Sequence, residues 1–94
     1  MDNDAIVAFL SIEVHHEDEE YIYLDDLSVT RAYRNKGIGT SLIKRAEEYA
    51  KKIGIYNICL HVEKTNVSAF SLYKRLGYII KEEQGSRYLM IKEL

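Results

Sequence analysis

Two glycines one residue apart, Gly37 and Gly39, follow two bases, Arg34 and Lys36, in the octapeptide Tyr33-Arg34-Asn35-Lys36-Gly37-Ile38-Gly39-Thr40. A basic, glycine-spaced turn of this kind is suited to hold a phosphate. Glycines let backbone N–H groups approach an anion without a Cβ in the way, and a helix N-terminus adds partial positive charge. The surroundings supply that helix. Residues 21–29 are rich in strand formers, whereas Ile38, Leu42, Ile43, Ala46, Tyr49, Ala50 and Ile53 recur at helical spacing, so the turn joins a strand to a helix.

Two familiar phosphate loops do not fit. A Walker loop ends in Gly-Lys-Ser/Thr, but Gly39 is followed by Thr40-Ser41 and the lysine precedes the glycines. The dinucleotide fingerprint wants a small residue three positions after its second glycine, where this chain has Leu42. The spacing of Arg34, Gly37 and Gly39 instead resembles Arg/Gln-x-x-Gly-x-Gly/Ala, the pyrophosphate-binding motif of the GNAT superfamily of acyl-CoA-dependent N-acetyltransferases. Downstream, Asn66, Ala69, Tyr73, Gly77 and Tyr78 match the superfamily's Asn-x-x-Ala-x-x-x-Tyr-x-x-x-Gly-Phe/Tyr segment. The two motifs stand in the family's order with an apolar strand, residues 55–62, between them, and the likeness runs from about residue 6 to the C-terminus. Asparagine at position 35, where many relatives carry glycine, still tolerates positive φ.

The resemblance implies direct attack of a primary amine on the thioester of acetyl-CoA in a ternary complex, with no metal. It places the pyrophosphate on the N–H groups of Asn35, Lys36, Gly37, Ile38, Gly39 and Thr40, with Arg34 and Lys36 as charge partners. The backbone of Leu27, Ser28 and Val29 would pair with the pantetheine arm and polarise the carbonyl. Tyr73 would protonate the departing thiolate, for which a phenol of pKa near ~10 is suited; on periodicity alone it reads as a core tyrosine of an amphipathic helix. Asn66 and Ala69 would touch the cofactor, Asn66 also being a natural helix cap. Asp25, in strand phase with Leu27 and Val29, is the candidate base for the acceptor ammonium, its plain alternative being a solvated strand residue. His61 and Glu63 on the neighbouring strand are outside candidates. A non-catalytic acyl-CoA-binding or subunit-interaction module is the alternative of a different class.

Composition narrows the remaining possibilities. The 94 residues, 47% hydrophobic and 30% charged, suffice for one core and are expected to form a single domain over residues 1–94. Thirteen bases against fifteen acids leave a net charge of −2, which gives no electrostatic reason to expect nucleic-acid or membrane-surface binding. No run approaches a membrane span and Met1-Asp2-Asn3-Asp4 is not signal-peptide chemistry, so a cytoplasmic protein is expected. Cys59 lies in an apolar strand and reads as a small buried hydrophobe. His15-His16 beside an acidic run reads as a solvated hairpin tip, with no third ligand placed by a recognisable metal spacing.

The elements that must position these groups follow from pattern. Strands are expected over residues 6–14 and 21–29 as an antiparallel hairpin, a helix over 37–52 stopped by Gly54, and a strand over 56–62. A short helix should start at Val67 with Thr65 or Asn66 as cap and Gly77 as stop. Strands 78–80 and 88–91 should close the chain around Gln84-Gly85-Ser86. The expected class is α/β (α+β), a mixed and mostly antiparallel sheet flanked by helices. Against the family layout, an N-terminal strand, two helices and a further strand are missing, and with them part of the acceptor wall. The apolar strand left at the sheet edge is expected to associate with a second copy, giving a homodimer.

Overall fold

In a computed structural model, residues 8–29 and 37–94 are described, with Ala8, Asp26, Ser28 and Val29 followed in their backbone only. The elements are β1 (Ala8–His15), β2 (Tyr21–Val29), α1 (Ile38–Lys52), β3 (Asn57–Glu63), α2 (Val67–Arg75), β4 (Ile79–Gln84) and β5 (Arg87–Glu93). The strands form one sheet in the order β1-β2-β3-β5-β4. β1–β2 and β4–β5 are antiparallel hairpins and β3–β5 is antiparallel, while β2–β3 is the parallel seam bridged by α1.

Alternation decides which face carries the core. Along β3 every second residue, Ile58, Leu60 and Val62, is buried, and Ile22, Leu24 and Met90 join them from β2 and β5. Ile43, Ala46 and Ala50 of α1 and Tyr73 of α2 pack onto this face, so the cluster lies on the helix side of the sheet. The other face carries no helix among the described residues. The apolar stripe of α1 is narrower than the sequence suggests: Tyr49 and Ile53 are 45% and 39% exposed.

Both helices end as their glycines predict. Gly54 (φ 81) and Gly77 (φ 99) take left-handed backbone, with Ile55 N–H bonded to Ala50 O at 2.8 Å and Tyr78 N–H to Tyr73 O at 3.0 Å. Of the first strand, Ile6 and Val7 lie outside the described residues, and the strand runs one residue past expectation to His15. β4 is longer than expected, reaching Gln84, and begins after Tyr78. Tyr78 is instead buried, donating its hydroxyl to Glu47 Oε2 at 3.0 Å, while Lys92 Nζ reaches the same carboxylate at 3.1 Å. Burial, reinforced by the Glu47 carboxylate, pushes the Tyr78 phenol far above its ordinary value.

That shift has a signed consequence. Above about pH 10 the unfolded chain releases the phenol proton while the folded chain keeps it, so stability falls as pH rises through this range. Urea denaturation at about pH 9 and about pH 11 should show a smaller loss for Tyr78→Phe than for wild type. Equal losses would mean the buried phenol is not the group responsible.

Candidate functional site

At one end of the site, α1 opens on Gly37, whose φ of 77° and absent side chain leave the N-cap without a side-chain hydrogen bond. The first intrahelical bond is Ser41 N–H to Gly37 O at 3.0 Å. The N–H groups of Ile38, Gly39 and Thr40 therefore precede the helical ladder, and no acidic side chain lies in the first turn to meet them. α2 differs: Asn66 Oδ1 accepts from Ala69 N–H at 3.2 Å, so its N-terminus is capped by its own chain. Among the described residues, the α1 end from which sequence predicts anion binding has no such side-chain cap. Arg34, Asn35 and Lys36 lie outside the described residues.

The parallel seam provides the second part. β2 and β3 pair at Ile22–Ile58, Tyr23–Cys59 and Leu24–Leu60, and the ladder stops there although β2 continues to Val29 and β3 to Glu63. Between the parted ends lies a cleft of about 180 Å³ lined by Asp25, Leu27, His61, Glu63, Asn66, Ala69 and Tyr73. A shift in the β1–β2 register accompanies the parting. Ser11 faces Asp26 and Ile12 faces Leu24, so Asp25 is an extra residue on β2. Such a bulge bends its strand and re-aims the side chains beyond it. Here Leu24 and Leu27, three apart, both line the cleft, with exposed Asp25 between them. Ser28 and Val29 remain paired with Phe9 and Ala8 of β1.

Tyr73 is held from both ends of its helix. The Asn66 cap fixes the first turn, and the Tyr73 carbonyl accepts from Tyr78 N–H at the Gly77 turn. Only 8% exposed, the Tyr73 ring meets Tyr78 edge-on at 6.1 Å between centroids. Its place in the core and its place in the cleft are one position.

On the helix-free face, a broader open cleft of about 880 Å³ is lined by Tyr23, Cys59, His61, Gln84, Leu89 and Ile91 among others. His61, one residue beyond the last β2–β3 pair, lines both clefts. Tyr23 Oη lies 2.6 Å from His61 Nδ1, and His61 Nε2 lies 2.8 Å from Gln84 Oε1. Burial pushes the Tyr23 phenol up, against the pull of the Arg87 guanidinium. Cys59 is half-buried on this cleft's floor, its thiol likewise pushed up by burial. Sequence reasoning left His61 at the margin and missed Tyr23. The available signal was alternation: Tyr21 and Tyr23 share one face and Cys59 and His61 another. Only the β2–β3 register makes those faces the same.

At the hairpin tip, His15 and His16 pair with Glu13 and Glu20 at 3.1 and 3.4 Å, and no group of three His, Cys, Asp or Glu suited to a metal occurs among the described residues. No helix among them is long and apolar enough to cross a membrane.

A five-stranded mixed sheet with one parting parallel seam, and both helices on one face, defines an acyltransferase-like α/β fold. Residues 1–78 match the model of the acetyltransferase (GNAT) family, and the chain belongs to that family. It is 32% identical over 92 residues to N-alpha-acetyltransferase 50 of Danio rerio, covering 96% of this chain and 55% of that protein. It is 36% identical over 77 residues to the probable N-acetyltransferase 14 of Xenopus tropicalis, covering 82% of this chain and 37% of the relative. The chain thus spans roughly a third to a half of such curated relatives' length. Among solved structures, the PaiA N-acetyltransferase of Thermoplasma acidophilum in complex with coenzyme A superposes with a TM-score of 0.89 at 26% identity, covering 100% of this chain and 57% of that one.

Proposed function

We propose that this chain carries the acyl-CoA-binding portion of an N-acetyltransferase, which moves the acetyl group of acetyl-CoA to a primary amine by direct attack in a ternary complex. The observation that carries this reading is the parted β2–β3 seam, whose cleft gathers Asp25, His61 and Tyr73 beside strand backbone that β3 no longer pairs. The pyrophosphate sits on the N-terminus of α1, with Arg34 and Lys36 as charge partners. The pantetheine arm follows β2 along Leu27, Ser28 and Val29, where a backbone N–H donates to the thioester oxygen as negative charge develops there. The amine nitrogen bonds to the acetyl carbon, the C–S bond breaks, and Tyr73 gives the thiolate its proton.

The ammonium of the acceptor must first lose a proton. The hydrogen-bonded Tyr23–His61 pair, at the junction of the two clefts, is the group we assign to take it, while Asp25 at the exposed cleft mouth holds the cation. The base role read from sequence for Asp25 is the alternative, and the variants below separate the two. Acetyl-CoA is a co-substrate here and no metal takes part. We further propose a cytoplasmic homodimer formed along β1, whose outer edge has no strand neighbour in the described sheet.

Acetyl-CoA should raise the melting temperature of the chain, because a ligand selective for the native state stabilises it by mass action. Gly39→Val should remove the shift by blocking close backbone approach to the pyrophosphate. Equal shifts in both proteins would exclude the cradle.

Tyr73→Phe keeps the ring and removes only the hydroxyl, so coenzyme A affinity should hold while kcat falls by roughly 10²-fold, the scale of a positioned general acid. His61→Gln should abolish the acidic limb of the pH–rate profile, where a general base is lost to protonation, and Asp25→Asn should mainly raise the acceptor KM. If Asp25→Asn alone moves the profile, the base role returns to Asp25. Wild type without turnover on any amine would leave a non-catalytic acyl-CoA-binding module.

Sedimentation at micromolar concentration should show a dimer, with β1 amides protected from hydrogen exchange. A monomer with freely exchanging β1 amides would rule that association out.

A further inference from the structure

A single carboxylate orders a line of hydrogen bonds on the helix-free face. Glu82 lies 2.8 Å from Gln84 Nε2, and an ionised carboxylate only accepts, so the Gln84 amide nitrogen must face it. The amide oxygen then faces His61 Nε2 at 2.8 Å, and an amide oxygen also only accepts. The neutral ring must therefore carry its proton on Nε2. Its Nδ1 is left with a lone pair, 2.6 Å from the Tyr23 oxygen, and so the phenol is the donor. We propose that Gln84 is a positioning residue that fixes the proton direction in the Tyr23–His61 pair, leaving the Tyr23 oxygen as the acceptor presented to the open cleft. Its use in catalysis rests on the acetyl-transfer reading above.

The placement of Gln84 depends on a second irregularity in the sheet. Ile80 faces Met90, a core residue, but Glu82 faces Leu89 and Gln84 faces Arg87, so Lys81 is an extra residue on β4. Leu89 in turn faces His61. Without the extra residue, position 84 would share the face of Ile80 and Met90, on the far side of the sheet from His61. With it, Gln84 reaches across β5 to the imidazole. The turn that follows is tied to the end of β3 by Lys64 N–H to Ser86 O at 2.9 Å, which helps keep the amide oxygen beside the ring nitrogen.

The proton movement balances. An ammonium nitrogen donating to the Tyr23 oxygen passes one proton to it as the phenol's own proton moves to His61 Nδ1. The products are a neutral amine, an intact phenol and an imidazolium whose Nε2–H still donates to Gln84. A ring with its proton on Nδ1 could not accept, and the phenol would keep its proton.

The test is nitrogen-15 NMR of the full chain at a pH where the ring is neutral, with the His61 signals assigned through His61→Gln. The expected wild-type pattern is a protonated Nε2 and an unprotonated Nδ1. Gln84→Met fills similar volume without a comparable acceptor and should give averaged tautomers, with kcat down about tenfold, the worth of one ordinary hydrogen bond, and the KM for acetyl-CoA unchanged. Gln84→Glu restores an acceptor and should restore the tautomer. Wild type with its proton on Nδ1, or an unaltered tautomer in folded Gln84→Met, overturns the assignment. A fixed tautomer in a protein with no turnover on any amine would instead sink the acetyl-transfer reading while leaving the proton direction standing.

Discussion

Strands that run side by side normally satisfy each other's backbone, and β2 and β3 do so for only three residue pairs. A backbone that leaves its neighbour must find other partners or water, since an unpaired buried amide costs about as much as a lost hydrogen bond. At this parting the sheet stops acting as a wall and opens a cleft. Asp25, Leu27, Tyr73 and His61 gain their chemical interest from being arranged around it. The hydrophobic core makes the parting affordable: Ile22, Leu24, Ile58 and Leu60 seal the paired part completely under α1.

The element order was legible from residues alone because local signals were strong. Alternation marked β3, the period of α1 was clear, and Gly54 and Gly77 stopped their helices where left-handed backbone was needed. Of the two proposed caps for α2, Asn66 is the one that bonds, as its better capping chemistry suggests. Tyr73 was singled out through the motif around it and not through its own pattern, which equally suits a core tyrosine, and the structure places it in the core and in the cleft lining at once.

What could not be read was register. The extra residues Asp25 and Lys81 leave no mark in composition, because a bulge can be built from almost any residue. Each nonetheless decides which face the following side chains use. Tyr23 escaped notice, and His61 stayed an outside candidate, for the same reason. Their contact spans strands far apart in sequence, and only a known pairing between β2 and β3 brings a phenol and an imidazole to 2.6 Å.

The topology also has a kinetic meaning. β1–β2 and β4–β5 are hairpins whose contacts are local, whereas β3 finds both of its neighbours far along the chain, at β2 and at β5. Closing those two seams carries most of the loop entropy of folding, so β3 should dock late and limit the rate. The residues lining the cleft at the parted seam come from β1, β2, β3 and both helices, so neither hairpin alone contains it. The cleft therefore exists only when the last strand is home, and a partly folded chain would lack it altogether rather than hold a weakened form of it.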